Sequence, residues 1–176
     1  MSCLITAGRL EPCKDSVGGI KSLTFLNYQE YQYTVVAGVV TTMTEDDGTT
    51  PPTGYRYVVR GANNSLTQNI TTSRDNGTTF IDQAIAAVFK KMTAVDNEEF
   101  MLMIYGRPVC IVEDNENNLW ACGLEFGCEV TGGSAQTGAA MGDLNGYSLT
   151  MSGMERTFAP QMDDTLYATF TIVEGV

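Results

Sequence analysis

A mainly β fold, a barrel or a sandwich with one flanking helix, is what this sequence predicts, on three observations. Thr, Tyr and Val are frequent and are interleaved with 18 glycines, the mixture found where short strands alternate with tight turns. Apolar and polar residues alternate through several short runs bounded by turn signals. One stretch alone joins apolar residues at helical spacing to a start signal, so there is no βαβ alternation, and no internal repeat is present. The 176 residues suit one domain spanning 1–176, since a single core usually serves a chain of this size.

The first strand is expected over Ile20 to Tyr28, after the turn-like Asp15-Ser16-Val17-Gly18-Gly19, with Leu23 and Phe25 on one face and Thr24 and Leu26 on the other. A second is expected from Tyr31 to Val40. Thr41 to Gly54 is polar and acidic and contains Pro51-Pro52, which cannot donate to a central ladder. It reads as a long loop or projecting hairpin arm. Tyr55 to Arg60 and Leu66 to Thr72 alternate as strands with one wet face. The expected helix is about Phe80 to Met92, where Ile81, Ile85, Val88, Phe89 and Met92 recur at helical spacing. Thr79 and Asp82 approximate a capping box, and Lys90-Lys91 suit the negative end of the helix dipole.

Phe100 to Tyr105 is apolar on both parities and reads as a strand covered on both sides. Pro108 to Val112 and Leu119 to Cys122, joined by the polar run Glu113 to Asn118, read as a hairpin. Thr131 to Gly146 is a Gly-rich loop long enough to suggest an ordered contact element. Two alternating strands follow, Tyr147 to Met151 and Leu166 to Val173. The expected core contains Leu23, Phe25, Ile81, Ile85, Val88, Phe89, Leu102, Ile104, Leu149 and Phe170.

Composition narrows the function. A net charge of −11 with ten scattered Lys and Arg argues against gripping a nucleic-acid backbone, which needs clustered cations. The chain has no histidine, so a Ser/His/Asp or Cys/His catalytic unit is not available and a non-enzymatic role is expected. Glu113, Asp114 and Glu116 cluster, but at a hairpin tip, where carboxylates ordinarily stay solvated. Counted as a calcium loop from Asp114, the sixth position is Leu119, where that loop needs Gly. Gly132 to Gly138 lacks the Lys-Ser/Thr ending of a phosphate-binding loop. No metal or organic cofactor is expected. The five cysteines show no CxxC spacing and are expected to be free thiols, with a Cys3–Cys13 disulfide as the alternative. Cys110 and Cys122 lie in apolar runs as small buried hydrophobes. The N-terminus lacks the pattern of a secretory signal and no apolar run reaches membrane-spanning length. The expectation is a soluble chain made in the cytoplasm, with no membrane partner.

Three segments carry a further likeness: Cys13 to Lys21, the Ser73-Arg74-Asp75-Asn76-Gly77-Thr78 turn, and Leu124 to Arg156 with its Thr-Gly-Gly, Gly-Asp-Leu-Asn-Gly-Tyr and Ser-Gly-Met-Glu-Arg runs. Together they resemble virion structural proteins of tailed bacteriophages, and the order of parts resembles the tail tube family. That resemblance implies a β-barrel or sandwich with one helix and an arm. Six copies would form a ring with inner sheets joined into one barrel, and rings would stack into a hollow tube among other phage tail proteins. It also implies a place in the virion tail after synthesis in the host bacterial cytoplasm. The self-assembly arm would comprise Thr44, Glu45, Asp46, Asp47, Thr49, Pro51 and Pro52, and the inter-subunit loop Thr131, Gly132, Gly133, Gln136, Met141 and Asp143. Six copies carry 6 × −11 = −66 formal charges, and a negatively lined channel would let DNA pass without sequence-specific binding. The alternatives are a capsid decoration or head-to-tail connector protein, a ligand-binding β-sandwich using Trp120 and several Tyr as stacking platforms, and, least favoured, an enzyme.

Overall fold

The computed structural model describes residues 4, 5 and 7–175. It is mainly β and built as two sheets. The first half of the chain supplies β1 (Ile20–Leu26), β2 (Gln32–Val36), β3 (Val39–Thr44), β4 (Thr53–Val58), β5 (Ser65–Ser73) and β6 (Thr78–Lys90). Then come α1 (Ala94–Tyr105), β7 (Val109–Asp114), β8 (Leu119–Cys122), β9 (Glu129–Gln136), β10 (Gly146–Glu155), β11 (Gln161–Met162), α2 (Asp164–Tyr167) and β12 (Thr171–Glu174). Eight strands in the order β12-β4-β1-β7-β8-β11-β3-β2 form one sheet, and β5-β6-β10-β9 form the other. Each sheet ends on two different strands, so neither closes into a barrel, and the arrangement is that of a sandwich.

β1, β7 and β8 lie in the middle of the larger sheet and are buried on both faces, which is why they read as near-continuous apolar runs. Leu23, Phe25, Cys110 and Val112 face the smaller sheet, where Ile85, Phe89, Leu149 and Met151 meet them. Leu26, Val109 and Ile111 face the opposite way and pack with Val40, Met43, Met162 and Phe170. The expected split of β1, with Leu23 and Phe25 opposed to Thr24 and Leu26, is therefore observed. The expected hairpin is also present, with Cys110 opposite Cys122 and Val112 opposite Trp120. Cys110, Cys122 and Cys128 are buried free thiols, and burial raises all three, Cys128 to about 12. Cys13 is exposed and free; Cys3, and with it the alternative disulfide, lies outside the described residues.

The helix is not where helical spacing put it. Phe80 to Lys90 belongs to β6, paired with β5 through Leu66–Ile85 and Ile70–Ile81 and with β10 through Leu149–Ala87 and Met151–Ile85. Ile81, Gln83, Ile85, Ala87 and Phe89 alternate inward, but Gln83 disguises that period in the sequence. It is tolerated inside because its amide donates to Thr157 O (3.1 Å) and its carbonyl accepts from Gly123 N (2.9 Å). The turn at Asp75-Asn76-Gly77 closes the β5–β6 hairpin rather than opening a helix. Val88 points to the other face and is half-buried.

α1 begins instead at Thr93, whose hydroxyl accepts from Asp96 N (3.0 Å) and donates to Asp96 Oδ2 (2.7 Å). This capping arrangement places Asp96 in the positive first turn. Gly106 and then Pro108 follow the last turn. Thr93→Ala is expected to lower stability by about 1 kcal/mol, read as a shift in urea midpoint with unchanged slope. Phe100 to Tyr105 is therefore helical and not a doubly covered strand. Phe100 and Met103 are its buried side chains, while Leu102 (67% exposed) and Ile104 (45%) stand in solvent, contrary to the expected core.

The arm is shorter than expected. Thr41 to Thr44 belong to β3 and Thr53 and Gly54 to β4, leaving residues 45–52 as a compact connection. Asp47 ties it together by accepting from Thr49 N and Thr50 N, both at 2.8 Å, and from the Thr50 hydroxyl, which holds its carboxyl below the usual range. Pro52 is buried and its carbonyl accepts from Thr171 N (3.0 Å). The stretch expected as one strand from Tyr31 to Val40 is the β2–β3 hairpin, turned at Ala37 and Gly38, both with positive φ. Leu166 to Val173 is divided between α2 and β12. Thr131 to Gln136, expected as loop, form most of β9, and Gly146 opens β10.

Candidate self-assembly surface

The smaller sheet ends on β5 at one side and β9 at the other, and neither edge carries a further strand among the described residues. Such edges present a row of main-chain donors and acceptors to any strand that approaches. Its four strands run alternately up and down, since every neighbouring pair is antiparallel. One face of the sheet packs on the core. The other holds small and hydroxyl side chains: Asp82, Ala84 and Ala86 of β6 stand beside Ser152 and Thr150 of β10, with Asn69, Thr67 and Ser65 opposite them on β5. Opposed residues in antiparallel pairs share a face, so Glu129, opposite Ser152, lies on the same side as Asp82.

Thr131, Gly132, Gly133 and Gln136 are all exposed on the β9 edge. Gly133 has a packing reason to be glycine, because a Cβ there would stand 2.5 Å from Ser148 O and 2.8 Å from Leu149 Cδ2; at Gly132 a Cβ meets nothing within 4 Å. Met141 and Asp143 sit beyond β9 in the turn leading to β10. Met141 is fully exposed, and Asp143 accepts from Ala139 N (2.9 Å) and Ala140 N (2.8 Å), which holds its carboxyl low. The arm residues Thr44 to Pro52 lie on the other sheet, between β3 and β4. The two expected groups of contact residues therefore belong to different sheets.

A groove of 440 Å³ runs between α1 and β9, with Phe100, Tyr147 and Leu149 as its floor and Met101, Ile104 and Ala135 among its walls. Met101 is 46% exposed and Tyr105 81%, so the outer side of α1 is apolar as well. A surface helix normally turns charge to water; here the last turn and a half carries Met, Leu, Ile and Tyr. This ridge was not anticipated, because Phe100 to Tyr105 read as strand. The Thr93 and Asp96 capping pair was the signal that could have found it.

The carboxylates at the β7–β8 tip are engaged structurally. Glu113 bridges Lys21 (2.7 Å) and Arg56 (2.8 Å) and accepts from the Ser22 hydroxyl. Asp114 accepts from Glu116 N, Asn118 N, Asn118 Nδ2 and Trp120 Nε1. Glu116 accepts from Val17 N (2.8 Å). The other concavity of note, 580 Å³, has Tyr28, Tyr55 and Tyr57 in its wall. The Arg107 guanidinium covers the Tyr28 ring at 4.1 Å, and Tyr57 stacks inward on Phe25 and Phe89. Tyr55 is the ring left open. No described helix is long and apolar enough to cross a membrane.

Fold and surface together define a mainly β, two-sheet protein with open sheet edges and an exposed apolar helix. Comparison of the chain with protein-family models, with curated proteins and with solved structures matches none.

Proposed function

We propose that the chain is a structural subunit that works by assembling with copies of itself, as the tail tube subunit of a tailed bacteriophage. The observation that carries this reading is the four-stranded sheet with two open edges, one core-facing side and one solvent side. Because its strand number is even, a copy related by rotation about an axis along the strands brings its β5 antiparallel to the first copy's β9. Main-chain pairing then continues from copy to copy, as in strand addition. A head-to-tail contact of this kind closes into a ring when the rotation closes, and the phage resemblance supplies the number six and the stacking of rings beside other tail proteins.

In such a ring the solvent face of the small sheet lines the channel. It bears Asp82 and Glu129, with Lys90 at one end, among hydroxyl and small side chains, so most of the −11 charge belongs to other surfaces. DNA would then slide past weakly acidic, hydroxyl-rich walls offering few cations to hold its phosphates.

Electron microscopy of the purified chain at high concentration tests the reading. Hollow tubes or stacked six-fold rings are expected. Stable monomers or trimers would favour a capsid decoration protein instead, and single rings without stacking a head-to-tail connector. A ligand-binding sandwich has the Tyr55 concavity in its favour, and saturable binding of a small glycan lost in Tyr55→Ala would support that reading over assembly.

A further inference from the structure

We propose that the groove between α1 and β9 receives Leu66 and Ile70 from the β5 edge of the next copy, so that one helix covers the core of its neighbour. The inference rests on the self-assembly reading and specifies which side chains bury at the contact. Ile70 lies opposite Ile81, a buried core residue, and Leu66 lies opposite the buried Ile85. Both therefore point to the core side of the sheet. Ile70 nevertheless remains 61% exposed, because β5 is the edge and no strand of the larger sheet reaches over it.

At the far edge the situation is reversed. The core-side residues of β9 are small, Gly133 opposite Leu149 and Ala135 opposite Tyr147, and α1 stands over them with Met101 and Ile104 exposed. One edge thus projects aliphatic side chains beyond their cover, and the other provides an apolar cover with a notch in it. Both features lie in the same layer of the same sheet, at opposite ends. They cannot meet within one chain, but they meet when β5 of one copy adjoins β9 of another. The contact is heterologous, leaving each copy with one groove and one projecting edge still to be used.

The test uses the full chain and three variants, Ile70→Asp, Ile104→Asp and Thr71→Asp. Thr71 is opposite Phe80, on the solvent side of β5. Analytical ultracentrifugation is expected to show that Ile70→Asp and Ile104→Asp each weaken assembly by about 30-fold or more, as loss of a central interface anchor does. Thr71→Asp should assemble as the parent chain does. Melting curves should be nearly unchanged, since all three side chains are exposed in the isolated subunit. An equimolar mixture of Ile70→Asp and Ile104→Asp should form a 1:1 heterodimer and nothing larger, because one intact groove and one intact edge remain between them. If the parent chain stays monomeric at all concentrations, the assembly reading fails and this proposal with it. If the parent assembles and both Ile variants do so equally well, or the mixture yields no heterodimer, or Thr71→Asp is as disruptive as Ile70→Asp, the groove assignment alone is overturned.

Discussion

Phe100→Ala is expected to destabilise the fold by about 4 kcal/mol, within the range for truncating a buried Phe in a packed core. Phe100 stands among Phe89, Tyr147 and Tyr57 at ring-centroid separations of 5.0, 4.6 and 6.0 Å, distances at which aromatic pairs attract beyond simple burial. It joins residues of both sheets to α1. The helix has few other anchors: Met103 is its second buried side chain, and at its N-terminal end the Tyr147 hydroxyl lies 3.3 Å from Thr93 O. Removing the ring should loosen α1 and the floor of the α1–β9 groove together. Urea denaturation followed by near-ultraviolet circular dichroism measures the loss, and Phe100→Leu should recover part of it. A loss under about 1 kcal/mol, the size of an ordinary surface change, would mean that α1 is not held by this cluster.

Glu113→Gln is expected to cost about 2 kcal/mol at pH 7, between the small value of an exposed ion pair and that of a buried one. Burial alone would raise the Glu113 carboxyl. The hydrogen bonds from Lys21, Ser22 and Arg56, with the charge of Arg56, outweigh that and bring it below the ordinary value. The carboxylate joins β1, β4 and β7 at one point, and Arg56 extends the link to Glu174 of β12 at 3.2 Å.

A carboxyl depressed in the folded state contributes stability above its unfolded pKa of about 4.3, and that contribution is lost as pH falls through the folded value. The gap between parent and Glu113→Gln should therefore be full at pH 6 to 7 and shrink steadily below about pH 4. Asp114, also held low against the effect of burial by its hydrogen bonds, adds acid sensitivity of the same sign in both proteins and leaves the difference unaffected. Glu155 opposes them: burial raises it despite bonds from Glu125 N and Phe126 N, so its contribution is present at low pH and fades as pH rises. Urea midpoints of both proteins between pH 3 and pH 8 check the prediction. A gap that does not change with pH would show that Glu113 acts through packing rather than charge.

Much of the strand content was legible in the sequence because it rests on local pattern. β1 shows its two faces in Leu23 and Phe25 against Thr24 and Leu26. The β7–β8 hairpin is announced by two apolar runs around Asn115 to Asn118, and Gln83 apart, β6 carries an alternation that is visible once sought. Helix against strand in Phe80 to Lys90 was not decidable locally. Ile81, Ile85 and Phe89 satisfy a period of four as well as a period of two, and the Ala residues between them satisfy either. What decided it was pairing with β5 on one side and β10 on the other, contacts made by residues up to about seventy positions away, as between Ser152 and Asp82. The same long-range pairing displaced the helix to Ala94–Tyr105.

The candidate surface divides in the same way. Exposure of Thr131 to Gln136 and of the turn at Asp143 could be expected from a Gly-rich stretch with little to bury. That these residues form a sheet edge, and that an apolar helix overhangs it, depended on which strand β9 found as its partner. Composition by itself determined a globular, acidic, histidine-free chain with enough apolar residues for a core, because those properties are sums over residues. Which apolar residues remained outside that core, Ile70 at one edge and Met101, Leu102 and Ile104 at the other, was decided by tertiary structure, since burial depends on what the rest of the chain can reach.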